Sequence, residues 1–289
     1  MCDEFTAKDQ EQNLARRGLT RRQFAALGSA AAVAGCATAG ADAGESLRER
    51  TVTITTEDGI ADCFFVHPTK GAHPGVILWP DIAGLREVKR IMARSLAAAN
   101  YAVLVVNQYY RSSPAPVAES FSDFMKEDVR KGIMEYRQLL TPDAVTRDAR
   151  AYVAFLDSED AVDKTRRIGT QGYCMGGPFT VRTAAAVPDR VGAAASFHGG
   201  GLVTDADDSP HRLLKDSKAS YLIAVARNDD ARAPTDKDEF GKAADAAGRP
   251  AEIEVYAADH GWCVADSPSY DPNEADRAWQ RLLALYAGL

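Results

Sequence analysis

The stretch Ile168-Gly169-Thr170-Gln171-Gly172-Tyr173-Cys174-Met175-Gly176-Gly177 decides how the rest of the chain is read. Its first five residues form a weak β-like run, and a helical pattern continues from Gly177 through Ala186. Between them, two glycines flank a cysteine at the positions of a sharp strand-to-helix turn. Such a turn needs little side-chain bulk because backbones approach closely, and its strained central residue projects above the sheet edge. A thiol there lies near a helix N-terminus, whose exposed amides and partial positive charge favour the thiolate. Cys174 is therefore the candidate nucleophile. The blander reading, an inert packed cysteine beside helix-packing glycines, leaves the strand-turn-helix setting without a purpose.

Working outward, residues 75–79 and 101–106 are near-continuous apolar runs of the kind found in strands buried on both faces, with an amphipathic helical pattern at 85–99 between them. Residues 191–197, 220–226 and 252–256 supply further strands, and 122–140, 143–156, 235–247 and 273–286 supply helices. Upstream, 51–56 and 62–67 surround Glu57-Asp58-Gly59 and predict an edge hairpin. The polar, proline-containing stretch 107–122 predicts a loop able to cover a site. Strands alternating with helices predict an α/β fold: a mostly parallel central sheet with helices on both faces.

A chain of 289 residues, 46% hydrophobic, is long and apolar enough for one large domain. Its formal charge of -7 disfavours nucleic acid, whose binding depends largely on positive charge over phosphates. Cysteines at 2, 36, 63, 174 and 263 include no C-x-x-C pair, so neither a zinc site nor a disulfide framework is expected. Clustered metal ligands and an early G-x-G-x-x-G are also lacking, and no metal or other cofactor is expected.

The N-terminus reads as an address. Thr20-Arg21-Arg22-Gln23-Phe24 opens a weakly apolar run to Ala34 and resembles a bacterial twin-arginine export signal. That run is well short of the roughly 20 residues that span a bilayer. Val33-Ala34-Gly35-Cys36 resembles a lipoprotein processing site with Cys36 as the lipidated residue. Ala37-Thr38-Ala39 and Ala41-Asp42-Ala43 offer ordinary cleavage instead, and a disordered basic tail is the plain alternative. The expected organisation is an export and processing region at 1–39, a tether at 40–50 and a single domain at 51–289. The expected location is periplasmic, or lipid-anchored facing the periplasm, with the export machinery as partner and membrane anchoring through Cys36.

A nucleophile needs a base, and the base an orienting group. His260, in Ala257-Ala258-Asp259-His260-Gly261, follows the 252–256 strand, where parallel sheets place their sites. The acid belongs between nucleophile and histidine in chain order. Asp229 and Asp230 both qualify: Asp229, nearer the strand end, is favoured, and Asp230, with the better offset to Pro234, is the alternative. His198, in Phe197-His198-Gly199-Gly200, is a weaker rival base with no comparable acid behind it.

Together, Gly172-Tyr173-Cys174-Met175-Gly176-Gly177, Asn228-Asp229-Asp230 and Ala258-Asp259-His260-Gly261 resemble the dienelactone hydrolase (carboxymethylenebutenolidase) family, from about Thr51 to the C-terminus. The resemblance implies an α/β-hydrolase fold and a Cys-Asp-His triad acting on an enol lactone. It implies oxyanion donors at the backbone amides of Met175 and Ile82, suited to the charge that develops on attack. In Trp79-Pro80-Asp81-Ile82-Ala83-Gly84 it places Asp81 where family members carry a glutamate that touches the resting nucleophile, and Arg130 as the arginine pairing with that carboxylate. Where the family holds a substrate carboxylate with an arginine four residues after the histidine, this chain has Val264. His198, Tyr173, Trp262, Cys263 and Val264 are the pocket candidates, and Cys263 is either a small apolar filler or a redox partner of Cys174.

The resulting expectation is hydrolysis of a small, weakly charged ester or lactone through a thioester on Cys174. Acyl transfer on the same triad and a non-catalytic binding protein on a hydrolase fold are the alternatives.

Overall fold

The computed structural model describes residues 8–10, 12–14 and 46–289. The expected export segment, its processing sites and Cys36 lie outside these residues. Eight strands form one sheet: β1 (Leu47–Thr56), β2 (Gly59–Pro68), β3 (Gly75–Trp79), β4 (Ala102–Val105), β5 (Ile168–Tyr173), β6 (Val191–Phe197), β7 (Ser220–Ala226) and β8 (Ala251–Tyr256). Their order is β1-β2-β4-β3-β5-β6-β7-β8. β2 is antiparallel to both β1 and β4, and every other pairing is parallel.

The apolar runs read from the sequence are what a sheet covered twice requires. Successive side chains of a strand point to opposite faces. In β3, Val76 and Leu78 enter one apolar cluster while Ile77 and Trp79 enter the other. The first cluster is closed by α1 (Glu87–Ala98) through Ala93 and Leu96, and by the C-terminal helix 272–286 through Leu282 and Tyr286. Opposite them lie α4 (Pro142–Ser158), α5 (Gly177–Ala186) and α7 (Asp236–Ala247), burying Tyr152, Val181 and Phe240.

Topology fixes where chemistry can sit. The chain leaves β3 toward β4, then returns past β3 to β5 and continues outward to β8. The strand order therefore reverses between β3 and β5, whose C-terminal ends pair at Trp79 and Gly172. Crevices of this kind are the usual ligand sites of open α/β sheets. Asp81 and Cys174 both follow those strand ends.

Some elements differ from expectation. β1 begins at Leu47, so residues 47–50 of the expected tether belong to the sheet. Their charges hid the strand, but all ten β1 residues pair with β2, and Glu49 and Arg50 meet Arg94 and Glu159. The expected helix at 122–140 is two, α2 (Phe121–Phe124) and α3 (Glu127–Arg137), because Lys126 is extended between them. Directly after β7, the short helix α6 (Arg227–Arg232) occupies a stretch for which the sequence predicted no element.

Candidate active site

Cys174 begins a single 3-10 turn, Cys174–Gly176, between β5 and α5. Its φ of 54° is in the left-handed region that non-glycine residues rarely adopt, so the strain expected of the turn is present. A Cβ on Gly172 would stand 2.0 Å from the carbonyl oxygen of Gly176, and one on Gly176 would stand 2.6 Å from those of Trp79 and Pro80. Both glycines are thus required by contact. The Cys174 amide donates to Nδ1 of His198 at 3.1 Å. Burial and then the neighbouring His260 hold His198 well below its ordinary value of 6.5, so its ring stays neutral and Nδ1 can accept.

On the opposite side, His260 Nδ1 lies 2.6 Å from Asp229 Oδ2. Asp230 instead receives Lys237 Nζ at 2.7 Å. Consecutive residues of a helix project about 100° apart, so α6 can aim only one of the two at the imidazole. Asn228, which the sequence reading left without a role, accepts the His260 amide at 2.8 Å and fixes the histidine loop to α6. The two imidazole rings meet edge to face with centroids 4.7 Å apart. Cys174, His198, His260, Asp81 and Val264 all border one small cavity.

The remaining pocket candidates lie elsewhere. Trp262 is fully buried behind the site, stacked on Tyr256 at 5.0 Å and edge-on to His198 at 5.1 Å. Tyr173 and Cys263 border a separate cavity of about 450 Å³ between α1 and the C-terminal helix. Tyr173 ends β5 in the apolar cluster of one sheet face and Cys174, in the turn, joins that of the other, so the two border different cavities. Cys263 and Cys174 are both free thiols, so the alternative that made Cys263 a redox partner of Cys174 has no bridge here.

The partner expected for Asp81 is corrected. Arg86 donates to both its oxygens, at 2.7 and 3.1 Å, and Lys89 Nζ lies at 2.8 Å, whereas Arg130 lies on α3. The turn closed by the Gly84 amide on the Asp81 carbonyl brings Arg86 back over the carboxylate, which no helix from elsewhere then needs to supply. Burial alone would raise the Asp81 carboxyl, but the two cations outweigh it and hold it well below the usual carboxylate range. Arg86 also forks onto Asp266 at 2.7 and 2.8 Å, tying this cluster to the histidine loop. One signal was available: Lys89 falls on the same helix stripe as Ala93, Leu96 and Ala97, and a lysine there needs a buried carboxylate.

The two segments expected to supply oxyanion amides are joined by Tyr109. Its hydroxyl donates to the Ile82 carbonyl at 2.8 Å and lies 3.8 Å from Met175 Sδ. Gln108 adds a bond from Nε2 to the Asp81 carbonyl at 2.8 Å. Neither residue was singled out from the sequence. Among the described residues no group of three or more His, Cys, Asp or Glu is placed to hold a metal ion.

The profile of the Dienelactone hydrolase family matches residues 61–288. The chain belongs to the dienelactone hydrolase family. A relative in Methylorubrum extorquens, named "Putative carboxymethylenebutenolidase", is 29% identical over 238 residues, covering 80% of this chain and 78% of its own. The fold is the α/β-hydrolase fold of the solved dienelactone hydrolase structures. One from Klebsiella pneumoniae, described as a "Putative Dienelactone Hydrolase", superimposes with a TM-score of 0.73 at 23% identity, covering 84% of this chain and all of that one. A dienelactone hydrolase-like promiscuous phosphotriesterase from metagenomic libraries gives 0.66 at 20% identity, covering 84% and 98%. In this chain Asp81 is paired locally and Val264 borders the cavity.

Proposed function

We propose that this dienelactone hydrolase family member cleaves a small neutral ester or lactone with Cys174 as nucleophile, His260 as base and Asp229 as its orienting acid. The observation that carries this reading is the 2.6 Å contact of Asp229 with His260 Nδ1, with His260 and the strained Cys174 bordering the same cavity. The carboxylate fixes the proton on Nδ1 and leaves Nε2 as the basic nitrogen.

In the first half-reaction Nε2 takes the Cys174 thiol proton, and the sulfur adds to the carbonyl carbon. The π pair moves to oxygen, where the amides of Met175 and Ile82 receive the negative charge. Collapse breaks the C–O bond, and His260 returns the proton to the departing alkoxide. In the second half, His260 deprotonates water, which adds to the thioester carbonyl. Collapse then breaks the C–S bond and restores the thiol.

Val264 and the neutralised Asp81 support an uncharged substrate, since neither offers the forked cation that recognises a carboxylate. Cys174→Ala should abolish turnover across a panel of neutral and anionic esters and lactones, and the wild type should prefer the neutral members. Turnover unchanged in a folded Cys174→Ala variant would defeat the assignment.

A further inference from the structure

The catalytic cavity has an occupant from the chain itself. Gln10, far from the site in sequence, is 1% exposed and borders the cavity together with Cys174, His198 and His260. Its carboxamide is placed specifically. Nε2 donates to the His260 carbonyl at 2.8 Å, and Oε1 accepts from the hydroxyls of Ser269 at 3.2 Å and Ser267 at 3.4 Å. A buried amide left without partners would be strongly disfavoured, so these three bonds define a seat for it.

Neighbouring residues dock alongside. Asn13 Nδ2 donates to Ser269 Oγ at 2.7 Å, and Leu14, 3% exposed, joins the apolar cluster beneath. Asp9 receives Asn228 Nδ2 at 3.0 Å and pairs with Arg232. Asn228 and Arg232 are also the residues that hold the His260 amide and Asp229, so the segment grips the supports of the base. Gly261 admits it: the residue has a φ of 98°, and a Cβ there would press to 3.0 Å from Gln10 Nε2 and 2.5 Å from Ser267 Oγ. With Gln10 seated, the cavity measures about 10 Å³. That is no more than one water needs, whereas small-molecule sites run from roughly 300 Å³ upward.

We infer that the surface beside the catalytic cavity, from Asn228 and Arg232 to Ser267 and Ser269, is a docking surface for this chain's own residues 8–10 and 12–14, and that the seated segment closes the site to substrate. The inference rests on the Cys174–His260–Asp229 reading for what is closed. The ligand chemistry is that of a short helical peptide offering a carboxylate, a carboxamide and, one turn on, an apolar side chain. Residues 8–14 precede the twin-arginine stretch, so processing before Cys36 or after Ala39 or Ala43 would carry the plug away and open the cavity.

The test uses the full chain with Gln10→Ala, which removes the carboxamide and the methylene that carries it, and Leu14→Glu, which opposes burial. Amide hydrogen exchange in 8–14 and 257–270 reads docking directly, and mass-resolved labelling of Cys174 by iodoacetamide reads access. Slow exchange of both segments in the wild type is expected, with exchange in the variants accelerated and Cys174 labelling faster by at least tenfold. Fast exchange of 8–14 in the wild type would overturn the docking surface. Labelling at the wild-type rate after release would overturn closure. Turnover is compared with and without Cys174→Ala in the Gln10→Ala background. Equal turnover there, with the exchange result as expected, would remove the nucleophile assignment and leave the docking surface standing.

Discussion

Asp81 stands at the end of β3 with its side chain 4% exposed, between Arg86 and Lys89, whereas Asp229 stands on α6 with 21% exposed and meets His260 and Arg232. A carboxylate stripped of water stays ionised only against full opposite charges, and its oxygens are then committed to them. One that keeps part of its hydration needs no such neutralisation and can spend an oxygen on orienting an imidazole. Asp81 borders the cavity of Cys174 and His260 directly, and Asp229 reaches it only through His260, so burial separates a structural carboxylate from one suited to catalysis.

Exchanging charge for shape at Asp229 is the strongest way to break that comparison. Asp229→Asn should lower kcat by roughly 10³- to 10⁴-fold, because an amide favours the wrong imidazole tautomer, with little change in thermal midpoint. Asp230→Asn, which loses only the contact to Lys237, should stay within about twofold of wild type by the same assay. The opposite ranking would reassign the acid to Asp230.

Stability should show the reverse asymmetry. Asp81→Ala leaves Arg86 and Lys89 buried with a missing anion and should cost about 3–5 kcal/mol in urea unfolding. Asp229→Ala should cost no more than about 1 kcal/mol, since the imidazole it loses carries no obligatory charge. Equal losses would erase the distinction between the two carboxylates.

The smallest effect concerns His198, held neutral between the two sides. Its native-state value is lowered, so below its ordinary 6.5 the unfolded chain binds a proton that the folded one does not. Stability contributed by this group is therefore present above that pH and lost as pH falls through it, by at most ~1.4 kcal/mol per pH unit. His198→Gln should flatten the fall in thermal midpoint between pH 7 and 5 relative to wild type. A parallel decline in both proteins would show that other groups set the acid limb.

Local chemistry made much of this legible. The Gly172-Tyr173-Cys174-Met175-Gly176 turn and the strand ends carrying Asp229 and His260 could be placed because period-two burial and glycine contacts are written in neighbouring residues. Nearness to the strand end favoured Asp229 over Asp230, but the helical phase of α6 that separates their partners is not announced by six largely charged residues. Counting along the chain offered Arg130 for Asp81, whereas the tight turn at Gly84 brought in Arg86. Tyr109 and Gln10 escaped notice because their partners are distant in sequence and their own surroundings are ordinary.

The contact between Gly172 and Gly176 has an implication for variation. The atom that would clash with any side chain at 172 is a backbone oxygen, which no rotamer change can move aside. A saturation library at 172 and 176 should therefore return glycine alone, with no compensating pair elsewhere. The position between them is free of that constraint. A serine at 174 would inherit the same geometry, so the backbone specifies where a nucleophile stands and leaves its element, sulfur or oxygen, to selection.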